Sequence, residues 1–97
     1  MLVLAVVYTF PADRADEVER MFAELAVASR AEPGNIGYEV MRGGADARGT
    51  FVLFEKWRDQ AALDIHMAEE HFVRLGLNGL RPLATSRSAV RGELIGA

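Results

Sequence analysis

The N-terminal segment Leu2–Phe10 limits the fold more than any other part of the chain, because it would be apolar on both faces of a β-strand. In an extended chain, successive side chains point to opposite sides. Leu4 and Val6 would face one side, and Val3 and Val7 the other. A strand that is apolar on both faces belongs inside a sheet that is covered on both sides. We therefore expect this segment to be a central strand in a layered fold.

Length and composition exclude several classes of protein. A chain of 97 residues corresponds to one domain, predicted here as residues 1–97. The absence of cysteine excludes a disulfide scaffold and a thiolate metal site. A net charge of -3 offers no basic surface for nucleic acid. The uncharged stretch Met1–Ala12 is shorter than the ~20 residues of a membrane span and lacks the features of a signal peptide, so we expect a cytoplasmic protein without a membrane partner.

Two helices and three further strands are predicted after this segment. The first helix begins at Asp13 and ends at Pro33–Gly34, and its apolar residues recur three and four positions apart. These residues are Val18, Met21, Phe22, Leu25 and Ala28. The other predicted elements are strand Ile36–Arg42, strand Thr50–Trp57, a helix Gln60–Phe72 capped by Asp59, and strand Leu83–Leu94.

The element order βαββαβ predicts an α+β class: a ferredoxin-like sandwich in which a four-stranded antiparallel sheet carries both helices on one face. The other face of the sheet would then expose many apolar side chains. These are Val3, Val7, Met41, Val52 and Phe54. A large exposed apolar face is typical of an interface. We therefore predict a homodimer formed through this sheet face.

Two segments carry a family resemblance. The sequence from Glu32 to Glu39, EPGNIGYE, resembles the helix exit and second strand of the antibiotic biosynthesis monooxygenase (ABM) family. The sequence from Phe51 to Asp59, FVLFEKWRD, is similar to the third strand of that family. Residues of the following helix extend the resemblance: Ala62, Leu63, His66, His71 and Phe72.

The resemblance implies a dimeric α+β barrel with a pocket between sheet and helices. It also implies cofactor-independent oxygenation of phenolic, quinol or polycyclic aromatic compounds by dioxygen. Haem-degrading relatives carry a tryptophan at the position of His66 and an axial histidine near Gly76. Because this chain has neither, we expect no haem and no other cofactor.

Alternation along the third strand places three candidate site residues on one face, namely Leu53, Glu55 and Trp57. The resemblance places that face toward the pocket. Trp57 offers an aromatic wall and an indole N–H for a substrate oxygen. Glu55 on an inward face requires a hydrogen-bonding partner. Structural roles in the core are the alternative for both residues.

His66 is the predicted proton-transfer residue, with Glu55 as its catalytic partner. On a continuous helix, His66 and His71 would lie about 140° apart, so they are not expected to share a metal. His66 falls beside the apolar side of that helix, and imidazole titrates near neutral pH. His71 is expected to be structural. A hydrogen-bonded core histidine is the alternative for His66.

The mechanism predicted for such a site draws its electrons from the substrate. Trp57 and Tyr38 would place the ring, with Leu53 and Leu63 completing the substrate-binding wall. No metal-binding residues are predicted. Two alternatives remain open: an isomerase or lyase acting on a small carbonyl compound, and a ligand-binding domain without catalytic activity.

Overall fold

A computed structural model describes residues 1–96 and confirms the α+β ferredoxin-like fold. The elements are β1 (Leu2–Thr9), α1 (Ala15–Arg30), β2 (Asn35–Arg42), β3 (Thr50–Trp57), α2 (Gln60–Ala68) and β4 (Ser86–Gly92). The four strands form one antiparallel sheet in the order β2-β3-β1-β4. The apolar strand β1 is therefore central, as its sequence predicts.

The two faces of the sheet differ in burial. Along β3, the side chains of Leu53, Glu55 and Trp57 are buried beneath the helices, as predicted, whereas Phe54 on the opposite face is only partly covered. On that opposite face Val7, Met41 and Val90 are exposed. Val3 is an exception to the predicted apolar surface, since it is buried.

The helix starts are predicted correctly in one case and wrongly in the other. Asp59 caps α2, where its Oδ1 accepts a hydrogen bond of 2.9 Å from the backbone N–H of Ala62. Asp13 does not cap α1. It lies in a 3₁₀ turn, Ala12–Arg14, and the residue preceding α1 makes no side-chain cap.

The second half of the chain departs from the predicted boundaries. Helix α2 ends at Ala68 rather than at Phe72, because Glu69 adopts an extended conformation with ψ 147°. A π-helical segment, Phe72–Leu80, and one short α-helical turn, Arg81–Leu83, follow. The last strand is consequently shorter than predicted. None of the helices in residues 1–96 combines the length and the apolar character that crossing a bilayer requires.

The loop after α1 lies against the start of α2 because Gly34 has no side chain. A Cβ atom at this position would lie 2.4 Å from the Cβ of Ala62. The Gly34 carbonyl also accepts a hydrogen bond of 2.9 Å from the backbone N–H of Arg58. This close approach holds Glu32, two residues earlier, beside α2.

Candidate functional site

A small cavity of about 50 Å³ lies between the inner face of the sheet and the helices. Among its lining residues are five that the sequence predicts as site residues: Tyr38, Leu53, Glu55, Leu63 and His66. Trp57, predicted as a substrate-binding wall, is not a lining residue and is fully buried.

His66 is oriented by a carboxylate. Its Nδ1 lies 2.7 Å from Oε2 of Glu32, and both side chains are buried. Because a carboxylate oxygen accepts hydrogen bonds, we assign the ring proton to Nδ1, which donates a hydrogen bond to Glu32. Nε2 of the neutral ring then keeps its lone pair. His66 is thus held in the tautomer of a base.

His71 binds the same carboxylate oxygen, with its Nε2 2.7 Å from Oε2 of Glu32. The ring centroids of His66 and His71 are 5.9 Å apart. The predicted separation of about 140° around one helix is therefore wrong. The extended backbone at Glu69 breaks the helix between the two histidines and lets both rings reach one carboxylate.

Glu55 and Trp57 form a buried pair, of which Glu55 lines the cavity. The indole N–H of Trp57 donates a hydrogen bond of 2.9 Å to Oε1 of Glu55. The sequence predicts that this N–H serves a substrate oxygen, whereas in the structure it is engaged by Glu55. The Trp57 ring instead lies against His66, with 4.5 Å between centroids, so Trp57 supports both candidate catalytic residues.

Burial shifts the titrations of Glu55 and His66 in opposite directions. It raises the pKa of the Glu55 carboxyl, against the opposing hydrogen bond from Trp57. It lowers the pKa of His66, against the opposing hydrogen bond to Glu32. His66 is consequently neutral at pH 7. Tyr38, which also lines the cavity, has a pKa raised well above its usual value by burial and so keeps its proton.

The space between the two candidate catalytic residues suits a bound oxygen atom. Nε2 of His66 lies 4.0 Å from Oε1 of Glu55, too far for a direct hydrogen bond. A polar gap of this length is commonly bridged by water or by a ligand oxygen. The site can therefore present a base and a carboxyl group to the same small molecule.

Glu32, His66 and His71 also have the residue types of a cation site, because their ligand atoms all lie within 4.8 Å of one another. The distances favour another interpretation. One oxygen lies 2.7 Å from both ring nitrogens, which is the ordinary length of a charge-assisted hydrogen bond. We interpret the group as a carboxylate that accepts two N–H donors.

Three further residues lie at the site without a role predicted from the sequence: Glu32, Arg81 and Arg87. Glu32 entered only as part of the EPG resemblance, and its side chain comes near His66 through the Gly34 contact, which no periodic pattern encodes. Arg81 and Arg87 line the cavity. Arg87 pairs with Tyr8 of β1 and lies on the same face of the sheet. The alternation of faces along β4 could therefore have indicated that Arg87 points toward the cavity.

The family model described as "Antibiotic biosynthesis monooxygenase" (ABM) matches residues 1–75. A Bacillus subtilis (strain 168) protein named "Putative monooxygenase YcnE" is 32% identical over 97% of this chain and 98% of its own length.

Two solved structures are also similar over nearly the full length. A structure described as an antibiotic biosynthesis monooxygenase has a TM-score of 0.88 and 30% identity, over 98% of this chain and 99% of its own. PA3566 from Pseudomonas aeruginosa has a TM-score of 0.84 and 30% identity, over 98% of this chain and 94% of its own. By its matched residues, its nearly full-length relative and its fold, this chain belongs to the antibiotic biosynthesis monooxygenase family.

Proposed function

We propose that the protein is a cofactor-independent monooxygenase that inserts one atom of dioxygen into a small phenol or quinol. The observation that carries the proposal is the pair formed by Glu32 and His66, which leaves Nε2 of a buried, neutral imidazole on the side of Glu55. Family membership supports monooxygenase chemistry. The arrangement supports the step that such chemistry needs first, which is removal of a substrate proton.

The volume of the cavity argues for a small substrate. Ligand pockets commonly reach about 300 Å³ or more, whereas the enclosed space here is about 50 Å³. That volume accommodates dioxygen or the reacting edge of one ring. Met67 and Arg87 line the cavity and are exposed, so we place the entrance at these side chains. A polycyclic substrate would require larger displacements than a monocyclic one.

In the first step, Nε2 of His66 removes the proton of a substrate hydroxyl group. Glu32 accepts the hydrogen bond from Nδ1 and stabilises the imidazolium that forms. The phenolate oxygen then lies in the gap between His66 and Glu55. Burial raises the pKa of the Glu55 carboxyl, and this is the direction that favours a hydrogen bond from Glu55 to that oxygen.

The substrate supplies all the electrons. The quinolate passes one electron to dioxygen, and the resulting radicals combine to form a C–O bond at a ring carbon. Cleavage of the O–O bond leaves one oxygen on the ring, and the other departs as water after taking up two protons. For a simple quinol the balance is C₆H₆O₂ + O₂ → C₆H₄O₃ + H₂O, so the product is a hydroxyquinone.

The other predicted residues hold the ring rather than react. Leu53 and Leu63 supply apolar walls, and Tyr38 is a further lining residue. Trp57 acts as a positioning residue through its contacts with Glu55 and His66. Restricting the ring in this way is itself a source of rate acceleration.

The test is oxygen uptake with 1,4-naphthohydroquinone and with methylhydroquinone under ¹⁸O₂. We expect enzyme-dependent uptake, one ¹⁸O atom in the hydroxyquinone and one in water. The His66→Gln variant should show only the uncatalysed rate. Enzyme-dependent uptake without label in the organic product, or wild-type uptake equal to that of His66→Gln, contradicts the proposal.

One observation favours a second function. The pairing of a neutral imidazole with a carboxyl group of raised pKa, 4.0 Å apart in a small cavity, also suits proton transfer between adjacent carbons of a small carbonyl compound. Such an isomerase would exchange substrate hydrogen with D₂O and consume no oxygen. The oxygen electrode therefore distinguishes the two functions.

We further propose that two copies pair through the outer face of the sheet. Val7, Met41 and Val90 are 42%, 59% and 67% exposed there, which is unusual for apolar side chains grouped on one surface. Sedimentation analysis should give a dimer. Val7→Asp should shift it to a monomer, whereas Val27→Asp, at a valine on α1 that is 68% exposed, should not.

A further inference from the structure

Two arginines line the cavity, and neither has a carboxylate partner in residues 1–96. Arg81 and Arg87 form no salt bridge there, in contrast to Arg42 and Arg74, which each bind two carboxylates. The Nε atom of Arg81 is buried and has no hydrogen-bond partner. A buried guanidinium N–H without an acceptor is costly. It therefore indicates a place where a ligand acceptor fits.

Aromatic rings hold both guanidinium groups in place. Arg81 lies over the ring of Phe72, 5.6 Å from its centroid, and Arg87 lies over the ring of Tyr8, at 5.5 Å. Nε of Arg87 also donates a hydrogen bond of 3.1 Å to the hydroxyl oxygen of Tyr8. Cation–π contacts of this kind restrict the side chain while leaving its other N–H groups free to donate. The two cations are thus oriented before any ligand binds.

The cavity has more positive than negative charge. Glu55 is the carboxylate among the lining residues, and the charges of Arg87 and Arg81 both act on it. The charge of Glu32 acts on it as well, but Glu32 lies outside the lining and is bound to His66 and His71. One carboxylate that is bound to Trp57 does not balance two guanidinium groups. The charge complement of the site is therefore an anion.

We infer that Arg81 and Arg87 bind a carboxylate carried by the substrate, so that the substrate is an anionic ring compound. A planar carboxylate matches the fork of donors on a guanidinium group. It is also smaller than a phosphate or sulfonate group, which suits the small cavity. The inference rests on the proposed function only in taking this cavity as the substrate site.

The structural alternative is that both arginines serve only to cover the rings of Phe72 and Tyr8. That role explains the stacking but not the buried Nε atom of Arg81 without a hydrogen-bond partner. Neither does it require that both cations meet at one cavity. A ligand carboxylate accounts for the unpartnered Nε atom and for the position of both cations at one cavity.

The experiment compares two matched quinols, 2,5-dihydroxybenzoate and its neutral amide, 2,5-dihydroxybenzamide. Binding is measured by calorimetry without oxygen, so that no turnover occurs. We expect the acid to bind at least tenfold more tightly than the amide, since hydrogen bonds to charged groups are the stronger ones. The preference should decrease at 0.5 M salt.

Three variants test whether Arg81 and Arg87 cause the preference for the acid over the amide. Arg81→Gln and Arg87→Gln should each reduce it severalfold, and Arg87→Lys should retain part of it. Arg91→Gln is the matched control, because Arg91 also lies on β4 but does not line the cavity. Thermal unfolding checks each variant, and the exposed Arg87 keeps the test valid if Arg81→Gln does not fold.

Equal affinity for the acid and the amide, no binding of either, or a preference unchanged in Arg87→Gln overturns the inference. Tight binding of the acid without oxygen consumption in air contradicts the proposed monooxygenase and leaves the carboxylate site standing. The two proposals therefore fail separately.

Discussion

The inner layer of the protein has two ends that differ in chemistry. At one end, the rings of Phe10, Phe22 and Phe51 pack together, with 5.3 Å between the centroids of Phe22 and Phe51. At the other end, Trp57 and His66 are even closer, at 4.5 Å, but they are joined to buried carboxylates. The same sheet face thus changes from hydrocarbon packing to a hydrogen-bonded cluster. We call the first the aromatic end and the second the polar end.

The difference separates stability from chemistry. Burying aromatic rings stabilises a fold without placing any demand on partners. Burying carboxyl and imidazole groups is costly unless each is hydrogen-bonded. The Glu32, Glu55 and His66 cluster meets that condition only in part, because Oε1 of Glu32 has no partner. Such departures from the best packing are expected where a fold supports a function.

Replacing His66 should abolish activity and leave the fold intact. We expect His66→Gln to lower kcat/KM by about 10²- to 10⁴-fold, the usual contribution of a general base. Glutamine keeps a hydrogen-bonding group near Glu32 but removes the lone pair that accepts the proton. Oxygen uptake and far-UV circular dichroism are measured on the same sample. Retained activity would show that the polar end is structural.

Shortening the aromatic end should have the opposite result. Phe51→Ala removes a fully buried ring and should lower the free energy of unfolding by about 3 to 5 kcal/mol. Val27→Ala, at a residue 68% exposed on α1, should change it by less than about 0.5 kcal/mol. Urea unfolding measures both. Activity per folded molecule should stay near the wild-type value, and a large loss would mean that the two ends are coupled.

Adding one methyl group at Gly34 tests the contact that brings Glu32 to the polar end. Gly34→Ala places a Cβ against Ala62 and should destabilise the fold by about 1 to 3 kcal/mol. Gly44→Ala is the matched control, because its Cβ would have no atom within 4 Å. Thermal unfolding compares the two. Equal effects would show that the loop adjusts freely around Ala62.

Sequence patterns predicted the sheet well because alternation and apolar content determine it locally. The range of β3, the shared face of Glu55 and Trp57, and the cap at Asp59 follow from the local sequence, whereas the inward direction of that face came from the family resemblance. The centre of the sheet followed from β1, which is apolar on both faces.

The details of the site were less predictable because they depend on breaks in regular structure. Neither glycine nor proline occurs between His66 and His71, so nothing in the local sequence marks the end of α2. Without that break, a helical wheel separates the two histidines. Glu32 lies outside any periodic element, and its place beside His66 depends on a long-range contact. The N–H of Trp57, which the sequence left free, instead donates a hydrogen bond to Glu55, two residues away on the same face.

Removing the charge of Glu32 should shift the pH profile of the polar end. Burial holds the pKa of His66 below its ordinary 6.5. The decrease of wild-type kcat/KM on acidification, the acidic limb of the pH profile, should therefore be centred below pH 6.5. Glu32 opposes that effect by favouring the protonated ring. Glu32→Gln should therefore move the limb to still lower pH.

The same variant should lower kcat about tenfold at neutral pH, since hydrogen bonds to charged groups contribute about 1.5 to 3 kcal/mol. A loss of stability alone would lower the amount of folded enzyme without moving the limb. Rate profiles from pH 4.5 to 8 on folded protein distinguish these results. A shift toward higher pH would contradict the assigned role of Glu32.

Metal removal is expected to have the smallest effect of all. If Glu32 accepts N–H hydrogen bonds from His66 and His71, no cation is needed at the polar end, and EDTA should change neither the melting temperature nor the rate. A resident metal would instead stabilise the folded state by mass action, and its loss would lower the melting temperature. Added Co²⁺ gives a second measurement, because ligation by two imidazoles and a carboxylate would produce visible absorption bands. Their appearance, abolished in His71→Gln, would convert the polar end from a hydrogen-bonded base into a metal centre and would remove Nδ1 of His66 as the donor to Glu32.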